Sequence, residues 1–164
     1  MKLTHCIRKT NIGRITPNLL FLLGKLDTKA MTSTVEYSGM LRTTSTHIRS
    51  GEKIITDAPT DNNGKGEAFS PTDLLATSLG CCMLTIMGIT AQKNAIRFEH
   101  CKAEITKIMA ENPRRVGEII VEVHVGEKGL SETQKKMLET AALNCPVAKS
   151  LGAEIKQSVS FSYE

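Results

Sequence analysis

Two places in the chain carry residues able to do nucleophilic or redox chemistry: the adjacent pair Cys81-Cys82, and Cys145 directly before Pro146. Neighbouring helical residues project about 100° apart, so Cys81 and Cys82 cannot share one pocket, and one of them at most acts. A cysteine in an apolar helix is also an ordinary packing residue. Cys145 stands at a helix start, where backbone N–H groups and the positive end of the helix are expected to lower a thiol pKa. The rival reading for it is a buried cysteine in a helix–helix turn. Two thiols on separate helices suit a peroxidatic and resolving pair. The first becomes a sulfenic acid on meeting a peroxide, and the second condenses with it to a disulfide.

The elements that would hold these residues are legible in the pattern. Three short β segments are predicted over Thr32–Tyr37, Leu41–Arg49 and Lys53–Thr56, with turns at Ser38-Gly39 and Ser50-Gly51. A polar, glycine-containing connection runs from Asp57 to Phe69. Ser70, Pro71 and Asp73 form a strong helix start, and the helix extends to about Lys93. Its middle, Leu74 to Ile89, has no charge and predicts a central helix buried on every face. Strands Arg97–Met109 and Val116–Glu127 alternate apolar and polar residues as a half-exposed antiparallel hairpin. A helix from Ser131 to about Asn144, a short one from Pro146 to Leu151 and a last strand complete the order β-β-β-α-β-β-α-α-β. That order predicts an α+β fold with helices segregated from antiparallel strands.

Composition bounds the function. The 164 residues fit one globular domain, with 40% hydrophobic and 23% charged residues. The net charge of +4 is unevenly placed, since residues 1–30 hold six Lys or Arg against one Asp. The body from Met31 is close to neutral, which argues against nucleic-acid and membrane partners, as do the absent Trp and six other aromatics. Residues 1–30 are expected to be an extension, disordered or read from a start codon placed too far upstream, with a targeting segment as the rival. Residues 31–164 form the domain. No stretch is expected to span a membrane, so the protein is expected to be soluble. Five cysteines without CxxC spacing and four scattered His support neither a disulfide framework nor a zinc site. A reducing cytoplasm with free thiols is the expectation.

The run Ser70-Pro71-Thr72-Asp73-Leu74-Leu75-Ala76-Thr77-Ser78-Leu79-Gly80-Cys81-Cys82-Met83 resembles the central-helix signature of the OsmC/Ohr family, and Asn144-Cys145-Pro146-Val147-Ala148 resembles its second-cysteine motif. The stretch from Ile54 to Phe69, with its Asp57-Ala58-Pro59 and Asn63-Gly64-Lys65-Gly66 turns, is similar to the OsmC-like branch. The resemblance covers about Met31 to Glu164. It implies a thiol-dependent peroxidase for organic hydroperoxides and, less well, hydrogen peroxide. It also implies an intertwined homodimer whose sheets wrap long central helices, with active sites near the subunit interface. Counting from Pro71, Cys82 matches the peroxidatic position and Cys145 the resolving one, while Cys81 is a packing residue. The family's strongest peroxidases add an arginine from the N-terminal strands and a carboxylate at the helix start. Arg42 matches the arginine best, with Arg49 as rival; the plain alternative for Arg42 is a surface strand residue. Thr72 stands where the family has Glu, leaving Asp73 or Glu67 as the carboxylate, against readings as a helix cap and a solvated loop residue. Nine residues of helix rise roughly 13 Å, so Asp73 could act on Cys82 only through a long arginine. Leu79, Met83 and Ile86 would line an alkyl pocket or be plain core.

The cycle so implied needs no metal, flavin or haem and calls on an external dithiol reductant. The alternative is a non-enzymatic OsmC-like stress protein that binds a small ligand. A third reading is nucleic-acid or membrane association through the basic N-terminus.

Overall fold

The computed structural model describes residues 31–164, and the expectations for residues 1–30 lie outside them. The chain is α+β. Strands β1 (Ser33–Gly39), β2 (Arg42–His47) and β3 (Lys53–Asp57) form one antiparallel sheet. After a 3-10 turn at Thr60–Asn62 comes α1 (Pro71–Lys93), then β4 (Cys101–Ala110) and β5 (Arg115–Val125). Helices α2 (Glu132–Leu143) and α3 (Pro146–Ser150) follow, and β6 (Lys156–Tyr163) ends the chain.

The second sheet has the order β4-β5-β6, and β6 pairs parallel with β5. The expected antiparallel pairing holds for every other strand pair and is corrected only here. A parallel neighbour needs a long crossover, and the α2–α3 segment supplies one. The strand after β3 also starts later than the alternation indicated. Residues 97–100 are drawn out of the ladder because the buried Glu127 carboxylate accepts the backbone N–H groups of Glu99 and His100. Those two bonds hold the Glu127 carboxyl below the usual carboxylate range.

Period-2 alternation puts Ile119, Val121, Val123 and Val125 on one face of β5, all fully buried. Against them lies one face of α1, Ala76, Leu79, Gly80, Met83, Met87 and Ala91, at helical spacing. Each large apolar side chain so buried contributes about 1.5–3 kcal/mol. Gly80 also lets α1 lie close to β4: a Cβ there would stand 2.5 Å from Ile105 Cδ1.

The rest of α1 differs from the all-round burial its composition predicts. Leu75, Cys81, Thr85 and Ile89 form an uncovered stripe. The helix is long and apolar enough, by length and composition, to cross a membrane, with a mean hydropathy of 1.8 over its best window. Its packed face makes it the core helix of this fold. The first sheet is barer still. Val35 and Tyr37 on β1 are exposed, and so are the consecutive Ile54 and Ile55 on β3, which point to opposite faces.

Candidate active site

The start of α1 is fixed by reciprocal bonds. Ser70 Oγ accepts the Asp73 N–H at 3.1 Å, and Asp73 Oδ2 accepts the Ser70 N–H at 2.8 Å. Lys107 reaches over from β4, donating from Nζ to Asp73 Oδ1 at 2.6 Å, Thr72 Oγ1 at 2.9 Å and Ser70 Oγ at 3.3 Å. Burial pushes the Asp73 carboxyl up, but the bonds from Lys107 and Ser70 outweigh it and hold it low. Asp73 is thus a cap paired with a lysine, and the expectation that it works through an arginine is corrected.

Arg42 takes other partners. It opens β2 directly opposite Asp57 in the β2–β3 ladder. Its Nε donates to Asp57 Oδ1 at 2.7 Å, and Nη2 donates to Asp57 Oδ2 at 2.7 Å and to Glu67 Oε2 at 2.9 Å. Hydrogen bonding and charge from Asp57 push the guanidinium pKa further up, and Arg42 in turn holds the Asp57 carboxyl low despite its burial. Arg49, the rival, lies exposed in the turn after β2. Of the two carboxylates considered from sequence, Glu67 meets Arg42 and Asp73 does not.

Cys145 is the N-cap of α3, and its Sγ accepts the Ala148 N–H at 3.4 Å. It is fully buried. Burial pushes its thiol pKa up, the Ala148 N–H opposes this, and the neighbouring Cys82 thiol adds to the rise. The expected lowering at a helix start is therefore reversed, because loss of water outweighs the Ala148 and Val147 N–H groups. Cys82 is half-buried on α1 against the same core, and both thiols are free. Cys81 is exposed on the bare stripe rather than packed within the chain. Cys101 is half-buried, and burial with the charge of Glu127 pushes its thiol up to about 11.

Within one chain the Arg42 cluster sits at the α1 start. Roughly 16 Å of helix separates Pro71 from Cys82. Among the described residues no hydrogen bond or ion pair joins Arg42 to either Cys82 or Cys145. Leu79 and Met83 are core, with no exposure, so they do not line the alkyl pocket considered for them. Two open clefts lie at the helix start instead. One of about 440 Å³ is lined by Glu67, Phe69, Asp73, Ala76, Ile105 and Lys107. A second of about 370 Å³ runs past Tyr37, Leu41, Asp57, Thr72 and Met109. Among the described residues no group of three His, Cys, Asp or Glu is placed to hold a metal ion.

Asp57 and Lys107 were missed from sequence, yet each left a signal. With His47 facing Glu52 across the four-residue turn 48–51, counting back along both strands puts Arg42 opposite Asp57. Lys107 breaks the apolar series Cys101, Ala103, Ile105 on the inward face of β4, and an inward lysine demands a partner.

The comparisons with known proteins bear on this arrangement. A model of the OsmC-like protein family matches residues 64–160. The structure is similar to an osmotic stress induced and detoxification response protein from Psychrobacter arcticus, at 50% identity and TM-score 0.78, over 81% of this chain and 96% of that one. It also shares its fold with an OsmC-like protein from Mycoplasma pneumoniae, at 20% identity and TM-score 0.69, over 83% and 98%. An organic hydroperoxide resistance protein OsmC from Legionella pneumophila matches at 19% identity and TM-score 0.59, over 80% and 97%. A search of curated proteins returned no match. The family match and the half-identical relative, spanning both cysteine motifs, make this chain a member of the OsmC-like protein family.

Proposed function

We propose that the protein is a cysteine-based peroxidase that reduces organic hydroperoxides and, less well, hydrogen peroxide. The observation that carries this reading is the half-buried Cys82 beside the buried N-cap thiol of Cys145, in a chain with hydroperoxide-resistance relatives. Cys82, as thiolate, attacks the terminal peroxide oxygen. The O–O bond breaks, the alkoxide leaves as alcohol after taking a proton, and Cys82 becomes a sulfenic acid. Cys145, as thiolate, then attacks the Cys82 sulfur, the S–O bond breaks, hydroxide leaves as water after taking a proton, and an intramolecular disulfide forms. An external dithiol reduces it by exchange. We place this cycle in the cytoplasm, in defence against oxidative or osmotic stress.

The working unit is proposed to be a homodimer. Its support is the apolar surface one chain leaves bare, namely the α1 stripe and both faces of the β1–β3 sheet. A second copy would cover both. It would also bring an Arg42 cluster to the other chain's Cys82, which the separation within one chain prevents. Arg42 would then stabilise the thiolate and the departing oxygen by hydrogen bonding and charge.

The raised Cys145 thiol and the open clefts at the helix start favour a second reading, a stress protein that binds a small ligand without chemistry. Consumption of cumene hydroperoxide by the purified protein with a dithiol decides between them. The peroxidase reading expects turnover that Cys82→Ser abolishes. No consumption, or full turnover in Cys82→Ser, rejects it.

A further inference from the structure

The Arg42 fork carries an inference that rests on the peroxidase reading and names a residue that reading does not. A guanidinium has five N–H donors. Three are engaged: Nε and one Nη2 hydrogen on Asp57, the other Nη2 hydrogen on Glu67. Among the described residues neither hydrogen on Nη1 has a protein partner, so this side of the fork is open to a ligand.

The two carboxylates holding it are unequal. The Glu67 side chain is 60% exposed on the loop between β3 and α1, whereas that of Asp57 is 3% exposed. Asp57 also accepts the Glu67 N–H at 3.2 Å, and its own N–H donates to the Phe69 carbonyl at 3.1 Å. Its bidentate contact leaves the guanidinium plane no freedom to rotate, while a single bond from an exposed loop glutamate leaves much. The helix start offers no rival, because Thr72 and Asp73 are occupied by Lys107.

We infer that Asp57 is the positioning residue of the site, fixing the Arg42 guanidinium so that Nη1 faces the reacting oxygen or the Cys82 thiolate. Arg42 then acts through the direction of its N–H groups more than through bare charge, since Asp57 neutralises it.

Asp57→Asn keeps the shape and removes the charge-assisted bidentate hold. The expected result is a second-order rate of Cys82 oxidation by cumene hydroperoxide reduced about tenfold to a hundredfold, with circular dichroism and oligomeric state unchanged. A chemical rescue separates positioning from a structural role. Arg42→Ala should lose rate and regain it saturably with added guanidinium, which the Asp57 carboxylate captures. Arg42→Ala with Asp57→Asn should not regain it. A wild-type rate in Asp57→Asn, or an Arg42→Ala rate that guanidinium does not raise, overturns the inference. If Asp57→Asn fails to fold, the Arg42→Ala rescue decides alone. A wild-type protein that consumes no hydroperoxide instead brings down the peroxidase reading, and the role of Asp57 with it.

Discussion

Closure of the Cys82–Cys145 disulfide should be the steeply pH-dependent step of the proposed cycle, because Cys145 is buried. An unperturbed thiol titrates at about 8.5, so roughly 3% is thiolate at pH 7. Cys145 starts below that fraction, since burial raises its pKa and the Ala148 and Val147 N–H groups only partly oppose this. Below its pKa the thiolate fraction grows tenfold per pH unit, and the closure rate follows it. In a single turnover with one equivalent of cumene hydroperoxide, closure should therefore quicken nearly tenfold from pH 6 to pH 7. It should quicken nearly tenfold again to pH 8. Dimedone quenching and intact mass measure this directly, as the decay of the trapped sulfenic acid against the growth of the disulfide. The slow closure at low pH should also let excess peroxide carry Cys82 on to the sulfinic acid. A closure rate that is flat from pH 6 to pH 8 would refute the reasoning, because it would mean that Cys145 is already ionised in spite of its burial.

Three further outcomes are expected. Leu75→Glu combined with Ile89→Glu puts charges on the bare stripe of α1, and light scattering should find a dimer in the wild type and a monomer in the variant; two monomers or two dimers count against the proposed assembly. Lys107→Met removes three donors from the α1 cap and should lower stability by roughly 1–3 kcal/mol in urea. Asp73 is held below its usual range, so its stabilisation is present above an unfolded-state pKa of about 3.9 and fades as pH falls through the lower folded value. The variant should show a shallower acid loss, and an unaltered acid limb would contradict the pairing. Cys101→Ser should leave peroxide consumption unchanged, since a thiol near 11 is almost wholly protonated at pH 7, and rapid iodoacetamide labelling of native Cys101 would contradict its protonated state.

The order of elements was legible because each carried a period or a punctuation mark. Ser70-Pro71 and Ser131 opened helices by capping, and the alternation of Ile119, Val121, Val123 and Val125 set the face of β5. What failed was long-range. Nothing local distinguishes a strand that pairs parallel from one that pairs antiparallel, so the pattern locates β6 without giving its direction. That Cys82 lies on the long helix and Cys145 at a helix start could be read because each sits at a landmark, one in the charge-free helix and one before a helix-breaking proline. Their ionisation could not, since a helix-start argument sees the N–H groups and not the surrounding core. The charged partners were hardest. Arg42 was visible, but choosing Asp57 over Asp73 requires the β2–β3 register, and removing Asp73 from contention requires Lys107, thirty-four residues away.

The central claim is that peroxide drives Cys82 and Cys145 into one disulfide. Intact mass after one equivalent of organic hydroperoxide, followed by non-reducing peptide mapping, tests it in one measurement. The account predicts a loss of two hydrogens and a linked pair of peptides containing Cys82 and Cys145. An unchanged mass, a gain of oxygen with no linkage, or a linkage through Cys81 or Cys101 would contradict it.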